Sequence, residues 1–156
     1  MKLRNLYFIM AFVFVIACEK DKSASQNNDF FPPVNFDINI NLLLPDAAPL
    51  QNMGGYIYRD GQAVGYKGIV IYNNFDEFVA FDRACPYKVD SVCSRVFMAD
   101  NNSKFQCGSG SGNNRCCASE FFLTTGTPSK GPADRGLRQY FVTRNGNYLR
   151  VTSFPQ

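Results

Sequence analysis

The sequence predicts an all-β domain built from short antiparallel strands and long loops. Three observations carry this prediction: an alternating polar and apolar run at residues 35–42, a hairpin signal at Asn145-Gly146, and the lack of any twelve-residue stretch with helical periodicity. The chain of 156 residues is long enough for one domain with a hydrophobic core. No internal repeat divides it.

The strands are predicted in order along the chain. The run NFDININL at residues 35–42 alternates without a slip, which predicts a strand with one face in water. Asn-Gly between two runs rich in β-branched and aromatic residues is the strongest short hairpin signal. The further predicted strands lie at residues 56–58, 68–72 and 78–81, at 95–98 and 104–107 around a turn at 100–103, and at 139–143 and 148–152 around Asn145-Gly146.

The N-terminal segment predicts a targeting signal. Lys2 and Arg4 precede an unbroken apolar run of twelve at residues 6–17. This run is shorter than the roughly 20 residues of a membrane-spanning helix and is typical of a signal-peptide core. Residues 15–18 (VIAC) resemble the lipobox of bacterial lipoproteins, which implies that Cys18 becomes the lipidated first residue. The alternative is an ordinary secretory signal in which this Cys is coincidental.

The chain therefore divides into a lipoprotein signal peptide at 1–17, a lipidated Cys and polar tether at 18–34, and a β domain at 35–156. A lipid on Cys18 would hold the protein on a membrane in the bacterial cell envelope, on the periplasmic or surface side, where disulfides persist. Without the two cations of the signal peptide, the formal charge falls from +3 to +1. That charge is too small to indicate a nucleic-acid partner, and the sequence indicates no particular protein partner.

Five cysteines follow Cys18, in two loop regions that are each entered from a predicted strand. Cys85 and Cys93 lie in the first region, and Cys107, Cys116 and Cys117 lie in the second. The chain contains no His, which excludes His-centred acid–base catalysis, His-ligated zinc and His-ligated haem. We expect a protein that is not an enzyme.

Two Cys-bearing loops at the tip of a small β domain resemble a Rieske iron–sulfur domain. Residues 80–87 (AFDRACPY) resemble the first cluster loop of that family. The segment after Cys117 is similar to the family's G-S-x-F, T-G, G-P-A and L-x-x-Y succession, with ASEF at 118–121, Thr125-Gly126, Gly131-Pro132-Ala133, and Leu137 with Tyr140. The resemblance covers residues 68–152 and implies a Rieske-like antiparallel β-sandwich or barrel.

The ligands of the family's [2Fe–2S] cluster do not carry over to this chain. In Rieske domains the first loop supplies Cys-x-His and the second supplies Cys-x-x-His. Cys85 keeps the first thiolate position, but Tyr87 stands at one His position and Cys117 at the other. The second thiolate position lacks a Cys unless residues 108–114 are an insertion that brings Cys107 to it. These four residues are vestigial cluster-loop positions, and a standard Rieske centre is excluded.

Two uses of the remaining cysteines stay open. Rieske domains of the high-potential type join their cluster loops by a disulfide, so the resemblance implies a Cys93–Cys116 bridge and a second bridge from Cys85 to Cys107 or Cys117. The alternative is a [2Fe–2S] cluster or zinc on four thiolates: Cys85, Cys93, Cys107, and Cys116 or Cys117. Seven and eight residues separate these pairs, whereas zinc knuckles use two to four. We expect disulfides, with no metal and no cofactor.

The sequence thus favours a membrane-anchored, non-catalytic lipoprotein with a Rieske-like fold that has lost the His ligands of the cluster. The alternative is an electron-transfer or metal-binding protein that uses an all-Cys site. The charge pair Asp82-Arg83, next to the first loop, is interpreted as a surface ion pair.

Overall fold

The computed structural model describes residues 32–75, 77–108 and 115–155. The predicted signal peptide, the lipidation site Cys18 and most of the predicted tether lie outside these ranges. Among the described residues, no helix is long and apolar enough to span a membrane.

The described part of the chain forms ten strands and one short 3₁₀ helix. The strands are β1 (Asp37–Asn41), β2 (Tyr56–Arg59), β3 (Ile69–Asn74), β4 (Glu77–Asp82), β5 (Val96–Met98), β6 (Phe105–Cys107), β7 (Glu120–Phe121), β8 (Pro128–Lys130), β9 (Gln139–Asn145) and β10 (Tyr148–Thr152). The 3₁₀ helix, Pro45–Gln51, lies between β1 and β2. The predicted all-β class is therefore confirmed.

Six strands form one antiparallel sheet in the order β1-β10-β9-β4-β3-β2. In β1 the side chain of Ile40 is buried while Asp37 and Asn39 are exposed, as the alternating sequence predicts. Each predicted strand at residues 35–42, 56–58, 68–72, 78–81, 139–143 and 148–152 overlaps a strand of this sheet.

The β9–β10 hairpin turns one residue later than its Asn-Gly signal indicates. Asn145 pairs with Tyr148, so Gly146 and Asn147 are the two turn residues. Gly146 has a φ of +57° at the first of these positions, where a two-residue II′ turn requires the left-handed conformation that glycine adopts most readily.

The other four strands form a smaller antiparallel sheet in the order β5-β6-β7-β8. The predicted hairpin of β5 and β6 is confirmed, with Met98 opposite Phe105 across the turn. Sequence reasoning missed β7, which has only two residues, and β8, which begins with a proline. It also missed the 3₁₀ helix, whose two prolines obscure any helical pattern.

A shared core packs between the two sheets and places two cysteines at its end. Phe81 of β4 meets Phe105 of β6 edge to face, with ring centroids 6.1 Å apart. Cys85 and Cys107 belong to the same buried cluster and are fully buried. The loops that follow β4 and β6 therefore both start from the interface between the sheets.

Candidate metal centre

Two loops form the candidate site: the first loop, residues 83–95 between β4 and β5, and the second loop, of which the structure describes residues 108 and 115–119 between β6 and β7. A backbone hydrogen bond joins them, because the Gly108 N–H donates to the Arg95 carbonyl at 2.8 Å. The Cys107 N–H of β6 donates to the Ser119 carbonyl at 3.0 Å and holds the end of the second loop against that strand. These contacts bring Cys-bearing segments that are distant in the sequence to one end of the molecule.

The Asp82 carboxylate anchors the start of the first loop. It is fully buried and accepts hydrogen bonds from the backbone N–H groups of Tyr66 at 2.5 Å and Ala84 at 2.7 Å, and from the Tyr140 hydroxyl at 2.6 Å. Burial and the negative charge of Asp82 raise the pKa of Tyr140, which keeps its hydroxyl protonated as a donor. A buried carboxylate needs such partners, and together they fix the backbone that leads into Cys85.

The interpretation of Asp82-Arg83 as a surface ion pair is wrong, since both side chains are buried and each has partners elsewhere. The Arg83 guanidinium lies 3.9 Å from the ring centroid of Tyr58 and donates to Asp60 at 3.0 Å. Its Nε donates to the Val96 carbonyl at 3.2 Å. Arg83 therefore joins the first loop to β5 and to the segment after β2.

A disulfide between Cys93 and Cys116 joins the two loops, with 5.4 Å between the Cα atoms. This is the pairing that the Rieske resemblance implies. The Ser91 hydroxyl lies 3.2 Å from the Cys93 sulfur and 3.8 Å from the Cys116 sulfur.

The second implied bridge is not formed, so the expectation of Cys85 bonded to Cys107 or Cys117 needs correction. These three residues are free thiols. The Cys85 and Cys117 sulfurs are 3.9 Å apart, whereas bonded sulfurs lie about 2.05 Å apart.

The three thiols instead converge on one point. All three sulfurs lie within 4.8 Å of one another, and we call Cys85, Cys107 and Cys117 the three-thiol cluster. Cys107 thus lies beside the other two, as the hypothesis of an insertion at residues 108–114 requires. Cys85 and Cys107 are fully buried, while Cys117 is half-buried.

Hydrogen bonds within the three-thiol cluster make its sulfurs unequal. The Cys107 thiol donates to the Cys85 sulfur, and with a second hydrogen bond from the Tyr87 N–H this lowers the pKa of Cys85 to about 7. The same contact, with Cys107 as donor, raises the pKa of Cys107, and burial raises it further. The Cys117 thiol donates to the Ser119 hydroxyl at 3.2 Å. Of the Cys85 and Cys107 thiols, Cys85 is therefore the one that loses its proton more readily.

Tyr87, at a vestigial His position, contributes its backbone rather than a ligand. Its N–H contacts the Cys85 sulfur, and its carbonyl accepts a hydrogen bond from the buried Ser94 hydroxyl at 3.0 Å. The same hydroxyl donates to the Cys85 carbonyl at 3.1 Å. Ser94 thereby fixes the backbone turn that contains Cys85, a role that nothing in the sequence indicated.

The Lys67 side chain lies near the three-thiol cluster. The Lys67 ammonium donates to the Ser91 carbonyl at 2.6 Å, which holds it against the first loop. Burial lowers the pKa of Lys67, and the negative charge of Asp90 is the largest effect that opposes it. No sequence pattern indicates Lys67, because only the fold brings this residue close to the cysteines.

The Gly131-Pro132-Ala133 segment closes over the second loop. Gly131 has a φ of +91° and lies so close to the backbone of Ala118 and Ser119 that a Cβ atom would overlap it. The Ala133 N–H donates to the Ser119 hydroxyl at 3.1 Å. Since Ser119 also accepts from Cys117, this segment fixes the half-buried thiol in place.

The residues present do not fit a Rieske cluster. The chain has no His to ligate the second iron. A [2Fe–2S] cluster on four thiolates does not fit either, because among the described residues only three sulfurs converge, and Cys93 and Cys116 are bonded to each other. Three thiols that face one point do suit a single ion that prefers sulfur.

Comparison with known proteins shows that the backbone of this chain is similar to the backbones of some solved structures. No protein-family model and no curated protein matches the chain. One similar solved structure is the ferredoxin of carbazole 1,9a-dioxygenase from Nocardioides aromaticivorans IC177, with a TM-score of 0.43 and 15% identity over 64% of this chain and 86% of that one. Another is a complex of reduced oxygenase and oxidized ferredoxin in carbazole 1,9a-dioxygenase, with a TM-score of 0.48 and 13% identity over 80% of this chain and 98% of that one.

Proposed function

We propose that the protein is a membrane-tethered lipoprotein of the bacterial cell envelope whose Rieske-like domain binds one thiophilic metal ion on Cys85, Cys107 and Cys117. The observation that carries this proposal is the convergence of three free sulfurs within 4.8 Å of one another. Thiolates are the ligands that ions such as Cu(I) and Zn(II) prefer.

The separation of the sulfurs supports a shared ion. Sulfurs that bind one tetrahedral zinc at about 2.3 Å lie about 3.8 Å apart. The Cys85 and Cys117 sulfurs, at 3.9 Å, are already at that spacing. The Cys93–Cys116 disulfide joins the two loops that supply them, so little rearrangement is needed for binding.

The tether is supported by the sequence. A basic start, an apolar run at residues 6–17 and a small residue before Cys18 are the parts of a lipoprotein signal. A lipid on Cys18, with a second membrane contact or further acylation, would hold the domain at a membrane surface while the domain itself stays in water.

A metal-free, non-catalytic interaction module is the second candidate. Cys85 and Cys107 are fully buried in an apolar cluster, as inert structural cysteines commonly are. The two candidates differ in whether the three sulfurs bind an ion, which is measurable directly.

The test uses the full chain, extracted from membranes in detergent, and two Cys→Ser variants. Wild type should carry about one thiophilic ion per chain by elemental analysis and incorporate a labelled fatty acid. Cys117→Ser should keep the fatty acid and lose the ion, while Cys18→Ser should lose the fatty acid and keep the ion. A folded wild-type protein that binds no added Zn(II) or Cu(I) would overturn metal binding, and an unlabelled wild type would overturn the lipid tether.

A further inference from the structure

The ligand count of the three-thiol cluster distinguishes between soft metals. Among the described residues, the group of metal-ligating side chains at this site consists of three Cys and includes no Asp or Glu. The whole chain lacks His. Structural zinc sites have four protein ligands, so Zn(II) here would need a fourth ligand from outside the chain. Cu(I) forms stable complexes with two or three sulfurs and needs no fourth ligand.

Burial restricts where such a fourth ligand enters. Cys85 and Cys107 are fully buried and pack in the same apolar cluster as Phe105, Phe121 and Leu137. The polar groups next to the Cys85 sulfur on that side are the Tyr87 N–H and the Ser94 hydroxyl, and that hydroxyl already donates to the Cys85 and Tyr87 carbonyls. Cys117 is the most exposed of the three cysteines, and the Gly131-Pro132-Ala133 segment covers the described part of the second loop through its contacts with Ser119. A site whose three sulfurs are mostly buried suits an ion that does not require water as a ligand.

We propose that the ion bound by the three-thiol cluster is Cu(I), held by the sulfurs of Cys85, Cys107 and Cys117 alone. This inference rests on the proposed function, because it names the metal of the same site.

Binding of Cu(I) involves no electron transfer. Each thiol that coordinates the ion loses its proton to water as the S–Cu bond forms, and copper remains in the +1 state. Three thiolates and one Cu(I) have a net charge of −2. The Lys67 ammonium, which donates a hydrogen bond to the Ser91 carbonyl, offsets one of these two negative charges. A charge beside a buried anionic site is screened less than it would be in water.

The test is a pair of competition titrations on the full-length protein in detergent without oxygen. Cu(I) is titrated against bathocuproine disulfonate and Zn(II) against 4-(2-pyridylazo)resorcinol. We expect one Cu(I) per chain that excess Zn(II) does not displace, with three sulfur neighbours by X-ray absorption. Cys117→Ser should weaken Cu(I) binding by about 100-fold or more, because even substitutions outside the ligand shell cost about 10–100-fold. Cys18→Ser, outside the site, should bind Cu(I) as wild type does.

Each outcome has one meaning. Zn(II) that displaces Cu(I), or copper with oxygen neighbours as well as sulfur, overturns the assignment of Cu(I) and leaves the proposed metal site intact. A folded wild type that binds neither ion overturns both proposals. Should Cys117→Ser fail to fold by circular dichroism, the sulfur count around copper in wild type still decides the question.

Discussion

The Cys85 sulfur lies 3.9 Å from the Cys117 sulfur, although 32 residues separate the two cysteines in the chain. This distance is too long for a disulfide and suits two ligands of one ion. Because Cys117 is half-buried and Cys85 has thiolate character, the same pair is also the part of the site most open to oxidation.

The first prediction is that metal protects this pair from oxidation. Oxidised glutathione should convert the metal-free protein to a Cys85–Cys117 disulfide. One protein thiolate attacks the reagent, which forms a mixed disulfide and releases one reduced glutathione. The second protein thiol then attacks the mixed disulfide and displaces the other glutathione in reduced form. Peptide mapping by mass spectrometry measures the bridge. Protein loaded with Cu(I) should stay reduced, and Cys117→Ser should give no intramolecular bridge. Equal oxidation with and without metal would contradict a shared site.

The second prediction concerns the bridge between the loops. The Cys93–Cys116 disulfide closes a segment with a sequence separation of 23. Its loss in Cys93→Ser/Cys116→Ser should lower the free energy of unfolding by about 3 kcal/mol, because the unfolded chain is no longer constrained. Urea unfolding measures this change.

Wild type treated with dithiothreitol is the control for the disulfide variant. It should lose the same free energy of unfolding, while the double variant should not respond to the reductant. An unchanged urea midpoint in the double variant would show that the bridge contributes nothing to stability.

The third prediction is that Tyr140→Phe destabilises the start of the first loop. The Tyr140 hydroxyl donates to the buried Asp82 carboxylate at 2.6 Å, and Asp82 fixes the backbone before Cys85. Loss of a hydrogen bond to a buried charged group should cost about 1.5–3 kcal/mol of unfolding free energy. Thermal or urea unfolding measures it. Tyr148→Phe, at an exposed tyrosine, is the matched control and should cost much less.

Eight of the ten described strands were predictable because their signals are local, whereas the contacts around the site are not local. Alternation in β1 and the Asn-Gly turn each lie within a few residues. Asp82 meets Tyr140 across 58 residues, and no local pattern distinguishes that buried carboxylate from a surface one. The sequence shows that five cysteines lie in two loop regions, but five cysteines allow many disulfide pairings. Only their positions in the structure distinguish the bonded pair, Cys93 and Cys116, from the three free thiols.

The fourth prediction compares two glycines with positive φ. Gly131 lies against the backbone of Ala118 and Ser119, while a Cβ on Gly146 would meet nothing within 4 Å. Gly146→Ala should cost about 1 kcal/mol from backbone strain alone. Gly131→Ala should cost more, because the segment must also move away from the second loop. Only Gly131→Ala should weaken metal binding, and equal effects of the two variants on stability and metal affinity would contradict the closing role of this segment.

The fifth prediction concerns pH and the edge of the large sheet. Arg150 of β10 donates to the Asp37 carboxylate of β1 through Nε at 2.9 Å and through its terminal nitrogen at 2.5 Å. This hydrogen bonding lowers the pKa of Asp37 from its ordinary value of 3.8. A carboxyl group whose pKa is lower in the folded state stabilises the fold above its unfolded pKa, and that contribution is lost as the pH falls through the folded value.

NMR titration of the Asp37 carboxyl carbon measures this pKa directly. It should titrate below 3.8 in wild type and close to 3.8 in Arg150→Gln, because the glutamine amide has no charge to favour the carboxylate. As the pH falls below 4, wild type should lose unfolding free energy more steeply than the variant, by a small amount because water screens this exposed pair. An Asp37 pKa that is the same in both proteins would mean that the ion pair does not persist in solution, and the backbone ladder from Asp37 to Asn41 and the buried side chains of β1 would then hold this strand to β10 without it.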